Sequence, residues 1–428
     1  MGKMSFFLSK INYAIQSLAL PDNVLLIINN LIFKYIWHSE SNKNSFERIN
    51  RTTLCLSTES GGLNMISIDD QQQVMLLRWL HRLHARYKEN HTHIKIINRL
   101  LKHVGGFICC YFNNVPLNLY KGLNQIKSIF WKKVLTTWLF YKNDCFNEDI
   151  PLHYIPIFNN KLILYSRKPL LIKTWVVNDL KFVHQLFTEG RFKTMDEVKE
   201  YVGTYGGLHF DYLAVKNAVL KVYDPTHFIH LEEVSEWKTQ FDNLSNKEIR
   251  TKLIKYKKHT PKCKQLWTNR LNINISKYYS LGVFASKESR LRTLHFKIIH
   301  GTYPTNILLN KMSIKENNAC SVCPQLDTLM HFFFECNALK HFWNYIELLI
   351  KRVLDQSITL NTISALFGLT KEDVNVKQHI LNEANAIIIL AKVCISKYKY
   401  TNAPNSLTFI FDSECTLRAK DFKILNFK

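Results

Sequence analysis

The sequence predicts a mainly α-helical protein, and three observations carry that expectation. Apolar residues after Pro21-Asp22 recur at helical spacing: Val24, Ile27, Ile28, Leu31, Tyr35 and Ile36. The same period returns at Leu339, Phe342, Trp343, Ile346, Leu349, Ile350 and Val353, a second amphipathic helix. Between them, Cys320, Cys323, His331 and Cys336 spell C-x2-C-x7-H-x4-C, a pattern suited to a small, metal-pinned helical domain.

Residues 1–105 read as a helical region. Gly61-Gly62 marks a turn, and a further helix is expected from about Asp70 to Tyr87. On it, Leu76, Leu80, Leu83 and Tyr87 share one face, while Arg78, Arg82 and Arg86 step by four along another. Guanidinium groups one turn apart suit phosphate oxygens, although a plain solvated face has the same pattern. Asp69-Asp70 is the only Asp-Asp pair. A polymerase needs such a pair on a strand turn with a further aspartate nearby; here it opens a helix, where carboxylates favour the positive dipole end.

Residues 106–248 read as a mixed connector, broken by Pro116, Pro151, Pro156 and Pro169 and by Gly203 and Gly206-Gly207. Trp131, Trp138 and Trp175 are assigned to its core. Residues 249–287 are expected to be a basic, aromatic linker. They contain no Asp or Glu but carry Lys252, Lys255, Lys257, Lys258, Lys262, Lys264 and Arg270, interleaved with Tyr256, Trp267, Tyr278 and Tyr279. Cations attract a phosphodiester backbone and aromatic faces stack on unpaired bases; packed aromatics in a solvated linker are the competing account. The zinc-binding helical domain is placed at 288–355, with Arg290 and Arg292 at its start, and a helical tail at 356–428.

Composition points the same way. The 428 residues are 46% hydrophobic and 13% aromatic, enough for two or three packed domains. Net charge is +23 at pH 7, and such a field concentrates polyanions, nucleic acid foremost. The ten cysteines are scattered, the apolar run Met4–Leu8 is cut short at Lys10, and the Ala386–Ala391 run ends at Lys392. A reducing compartment, nucleus or cytoplasm, is therefore expected, with neither signal peptide nor membrane segment. No lipid-anchor motif is present.

Three thiolates and an imidazole are the donors zinc prefers, and four protein ligands leave no position for a catalytic water. The expected ion is structural zinc; four reduced residues in a Phe-rich core are the alternative. Enzyme signatures are absent. His230-Leu231-Glu232 lacks the Pro-Cys-x-x-Cys that a nucleobase deaminase requires, and Cys336 takes the place of its water. The histidines His81, His84, His91 and His93 read as solvated or core residues.

The surroundings add a resemblance. Arg290-Leu291-Arg292-Thr293-Leu294-His295-Phe296-Lys297-Ile298-Ile299-His300, then Thr305-Asn306, the four Cys/His residues and Phe342-Trp343 follow one another. This order resembles the reverse transcriptase zinc-binding domain at the end of LINE-class non-LTR retrotransposon polyproteins. Leu8–Tyr13, Leu18–Pro21, Phe33–Trp37, Gly61–Met65 and Leu77–Leu80 are similar to the stretch after the polymerase palm. Weaker matches follow at Pro151-Leu152, Trp175, Gly190-Arg191-Phe192 and Phe210–Leu213, so the likeness spans about three quarters of the chain. It implies a thumb-like role for 1–105 against a primer–template duplex, and zinc on Cys320, Cys323, His331 and Cys336. Gly301 departs from the family, which more often has arginine there. Nothing resembles the endonuclease, the fingers or the palm, so no catalysis is expected. The expectation is a zinc-containing fragment that binds RNA or single-stranded DNA, with no small-molecule substrate and no membrane partner. A truncated transposon relic without selected activity is the alternative.

Overall fold

The computed structural model describes residues 2–36, 49–86, 92–146, 150–229, 240–401 and 406–418. The chain is mainly α-helical, 65% helix against 3% strand. Described strand is confined to two antiparallel hairpins, Leu164–Tyr165 with Lys168–Pro169 and Phe187–Thr188 with Arg191–Phe192. The chain divides into two compact units, one of Met1–Ile32 with Ile66–Lys258, the other of Phe33–Met65 with His259–Lys428. This division cuts across the five consecutive segments expected from sequence.

In the first unit the helix Ile68–Arg86 packs against Ile129–Cys145 and Asn246–Tyr256. Its apolar stripe, Leu76, Leu80 and Leu83, is buried as the periodicity requires; the side chain of Tyr87 lies outside the described residues. Trp138 stacks on Tyr111 at 5.0 Å and donates from Nε1 to the Tyr111 carbonyl at 3.0 Å. A neighbouring core surrounds Trp175, whose Nε1 donates to the Tyr205 hydroxyl, which in turn donates to Asp211. Trp131, Trp138 and Trp175 are all core residues. Asp69 and Asp70 occupy the first turn of the Ile68–Arg86 helix. Asp69 accepts from the Asn29 amide and Asp70 pairs with Lys257, so both carboxylates serve structure.

The second unit is organised around the helix Gln378–Thr401. Leu381, Ala384, Ile388, Ala391, Cys394 and Ile395 are buried along it. Against it pack Leu281–Ala285, Ser289–Ile299, Lys340–Leu354 and Leu407–Leu417. Gln378–Tyr400 is long and apolar enough to cross a membrane by length and composition, against the expectation of no such segment, but 72% of its most apolar window is buried inside the protein. That makes it a core helix, apolar all round because it is covered all round. The Gly61-Gly62 turn joins this unit: the Gly61 carbonyl accepts from or faces His300 Nε2 at 2.8 Å, and Thr53 meets His259 at 2.8 Å. A Cβ on Gly62 would sit 2.0 Å from the Leu56 carbonyl oxygen, so only glycine fits there.

Residues 249–287 are not a linker. They supply most of the helix Asn246–Tyr256, then Lys262–Leu271 and Leu281–Ala285, with the boundary between the units at Lys258. The missing acids made the stretch look solvated, yet its apolar residues keep a helical period. Ile249, Leu253, Cys263, Trp267, Ile275 and Leu281 are all buried.

Candidate metal centre

The knuckle Cys320-Ser321-Val322-Cys323 is closed by a short antiparallel bridge between Ala319 and Leu326, with the Cys320 amide donating to the Gln325 carbonyl at 2.8 Å. The Val322 amide points at Cys320 Sγ from 3.5 Å, the usual way a tight turn supports a thiolate. Asp327 then ties the knuckle to the helix Asn306–Lys311. Its Oδ2 accepts from the Asn306 amide at 2.8 Å, while Asn306 Nδ2 donates to the Ala319 carbonyl at 2.7 Å.

His331 opens a π-helical turn, His331–Glu335, and its amide donates to Thr328 Oγ1 at 3.0 Å. Wide turns of this kind re-aim side chains and gather at functional sites. Here the turn buries Phe332 and Phe333, directs His331 towards the knuckle and ends at Cys336. The helix Lys340–Leu354 closes the site from behind, with Trp343 Nε1 donating to the Phe333 carbonyl at 2.8 Å.

The donor atoms of Cys320, Cys323, His331 and Cys336 all lie within 4.8 Å of one another. Cys323 Sγ is 3.1 Å from His331 Nε2 and 3.9 Å from Cys336 Sγ. A tetrahedron with metal–sulfur bonds of about 2.3 Å has sulfur–sulfur edges of roughly 3.7 Å, so the set can hold one metal ion. Among the described residues no other group of His, Cys, Asp and Glu converges in this way.

The protein groups already bias the protonation of the site. Burial pushes the Cys320 thiol up, but the Val322 and Cys323 amides and the Lys399 ammonium outweigh it, leaving Cys320 below the ordinary thiol range. Burial raises Cys336 to about 11. Burial, followed by Lys399, lowers the His331 imidazole and favours its neutral, ligating form. Lys399 escaped the sequence reading: it lies 79 positions from Cys320, and no local spacing connects them.

The cationic candidates separate into two kinds. In the first unit, Arg82 and Lys255 are exposed, as is Lys258, and Lys252 is exposed while donating to the Cys145 carbonyl at 3.2 Å. The Arg86 side chain lies outside the described residues. Arg78 and Lys257 are corrected to structural roles. Arg78 donates to Asn246 and to the Leu244 carbonyl, and Lys257 is paired with Asp70. The expected arginine stripe therefore has its first member turned into the protein.

In the second unit, Lys262, Lys264 and Arg270 are exposed on the helix Lys262–Leu271, and Arg290 is exposed on the next. Arg292 is corrected: it donates to the Ser286 carbonyl at 2.6 Å, capping the end of the Leu281–Ala285 helix. Trp267 is corrected as well. It is fully buried against Phe367 and donates to the Ile299 carbonyl at 2.5 Å, so it has no face for a base. Tyr256 packs on Phe140 and Tyr141, and Tyr278 and Tyr279 are buried, which removes the stacking part of that expectation. A cleft of about 410 Å³, unrecognised in the sequence, opens beside the π-turn; Arg270, Lys311, Thr305, Leu308 and Met330 line it, with no acidic residue in its wall.

No protein-family model matches the chain, and no curated protein matches it.

Proposed function

We propose that the chain is a zinc-stabilised nucleic-acid-binding protein that corresponds to the thumb and carboxy-terminal part of a LINE-class reverse transcriptase. The carrying observation is that three sulfurs and one imidazole, at the positions the resemblance assigns to metal ligands, converge within 4.8 Å. Thiolate and imidazole donors in a closed four-fold set favour zinc over hard cations, and the ion's role is then structural. When bound it would supply cross-linking of the knuckle to the π-turn. The residues of the chain do the rest: Asp327 and Asn306 hold the knuckle, and Trp343 holds the turn.

Nucleic-acid contact is the reading that the +23 charge supports. Lys262, Lys264 and Arg270 are all exposed on the helix Lys262–Leu271, and Arg270 and Lys311 both line the cleft beside the π-turn. Such a surface takes the backbone of RNA or single-stranded DNA with weak sequence preference, because it offers cations and few exposed aromatic platforms. No carboxylate pair is free for polymerase chemistry at Asp69-Asp70, and we assign the chain no catalytic step.

Bound zinc per chain, measured together with affinity for single-stranded RNA across a salt series, tests both halves. One zinc per chain and a log–log slope of about −0.7 for each neutralised phosphate are expected. A metal-free folded chain would refute the zinc assignment. Affinity that does not change with salt would refute the electrostatic grip.

A further inference from the structure

We propose that Lys399 is the positioning cation of the metal centre, and that it couples the end of the long core helix to metal retention. The inference rests on the zinc reading. Three thiolates around a divalent ion leave one net negative charge in a site where Cys320, His331 and Cys336 are buried. An uncompensated charge away from water is costly, and a nearby cation with a hydrogen bond offsets it.

Lys399 meets that need from a distant part of the chain. Its Nζ donates to Cys320 Sγ at 3.4 Å and lies 4.7 Å from the centre of the Phe332 ring, and the residue is only 4% exposed. An ammonium this enclosed is costly unless it is hydrogen-bonded or paired, and among the described residues the one side-chain acceptor at its Nζ is the Cys320 sulfur. The second negative group within its electrostatic reach is Asp327, 1% exposed, whose Oδ1 has no hydrogen-bond partner and which also acts on His331. One ammonium thus contacts a ligand sulfur and acts at longer range on the carboxylate that anchors the knuckle.

The backbone at Lys399 is fastened to the knuckle, and its neighbours Ser396 and Tyr400 to Tyr303 and Pro304. Ser321 Oγ, inside the knuckle, donates to the Lys399 carbonyl at 3.3 Å. One turn earlier Ser396 Oγ and the Tyr303 hydroxyl are 2.5 Å apart, and the Tyr400 hydroxyl donates to the Pro304 carbonyl. Loading the metal therefore fixes the last turn of Gln378–Thr401, and that turn in return holds the thiolate in place. Groups in this outer position commonly change metal affinity by roughly ten- to a hundredfold when removed.

The test uses the full chain loaded with cobalt(II) as a spectroscopic stand-in for zinc. Wild type is expected to show the thiolate charge-transfer band of a four-coordinate site. Lys399→Met is expected to keep that coordination but lose metal to a chelator at least about tenfold more readily, with Lys399→Arg restoring most of the difference. Retention in Lys399→Met equal to wild type overturns the inference, as does a Lys399→Arg variant as leaky as Lys399→Met, which would make packing the cause. Should Lys399→Met not fold, amide exchange in residues 396–400 of wild type decides: it should be slower with metal than after stripping, and equal rates overturn the coupling. No cobalt–thiolate band in wild type overturns the zinc reading too, whereas a wild-type band with an unaffected Lys399→Met overturns this inference alone.

Discussion

Besides Lys399, each unit buries one lysine within its core among the described residues, Lys142 in the first and Lys392 in the second, and these two are accommodated differently. In the first unit, Lys142 donates to the carbonyls of Tyr111 and Asn113 and lies 5.6 Å from the Trp138 ring centre. Carbonyl oxygens and an aromatic face replace much of the hydration that an ammonium loses. In the second unit, Lys392 sits in the middle of Gln378–Thr401, wholly buried, and donates to the Leu366 carbonyl at 2.7 Å. Burial lowers it to about 7. The first unit's core rests largely on stacked aromatics, while the second also holds the four-donor cluster and a lysine whose charge can change near neutral pH. Stability in the second should therefore respond to metal and, between about pH 7 and 9, to pH, and in the first much less over that range. Above it the buried thiols of both units, Cys109 and Cys110 included, act alike.

The largest effect should come from removing a metal ligand. Cys323→Ser or His331→Ala is expected to expose the segment from about 301 to 355 to protease while the first unit stays resistant. Apparent zinc-binding free energies of about 10 kcal/mol are also folding free energy in small sites. Equal digestion of both units would break the contrast. Next in size are two of the fully buried tryptophans: Trp138→Ala and Trp267→Ala should each cost about 3–5 kcal/mol, each in its own unit, measured by denaturant unfolding with hydrogen exchange. Trp267→Ala protein that remains folded should bind RNA with an unchanged salt slope, since the ring is buried.

The pH dependence is a finer test. Lys392 is lowered in the folded protein from 10.5 to about 7, so the unfolded chain binds more protons between those values. Stability of the second unit should then rise as pH increases from about 7 to 9. Above 9 the trend should reverse, because buried Cys394 and Cys415, raised to about 12, ionise only on unfolding. Lys392→Met should flatten the rising limb, and an unaltered limb would place its origin elsewhere. The smallest effect belongs to the surface: Arg270→Gln or Lys264→Gln should leave stability within about 0.5 kcal/mol and shorten the RNA salt slope by less than one unit each.

Much of the helical pattern was readable along the chain. Leu76, Leu80 and Leu83 fall on one face at a fixed period, and so do Phe342, Trp343, Ile346, Leu349 and Ile350; all are buried. The metal ligands were readable for a similar reason, since they lie within 17 positions, from Cys320 to Cys336, on two short elements. The basic stretch misled because cations and aromatics at alternate positions look alike in a solvated strand and in a packed amphipathic helix. Only burial separates Trp267 and Tyr279, inside, from Lys262 and Lys264, outside.

Local spacing was enough to specify helices, a four-donor cluster and a strongly cationic chain, because periodicity, ligand reach and charge depend on neighbours in sequence. Partnerships across long separations were not specified in that way. Lys399 meets Cys320 across 79 positions, Lys257 meets Asp70 across 187, and His300 meets Gly61 across 239. Each depends on how helices pack, and packing is set by the sum of many buried contacts that no single stretch of residues contains.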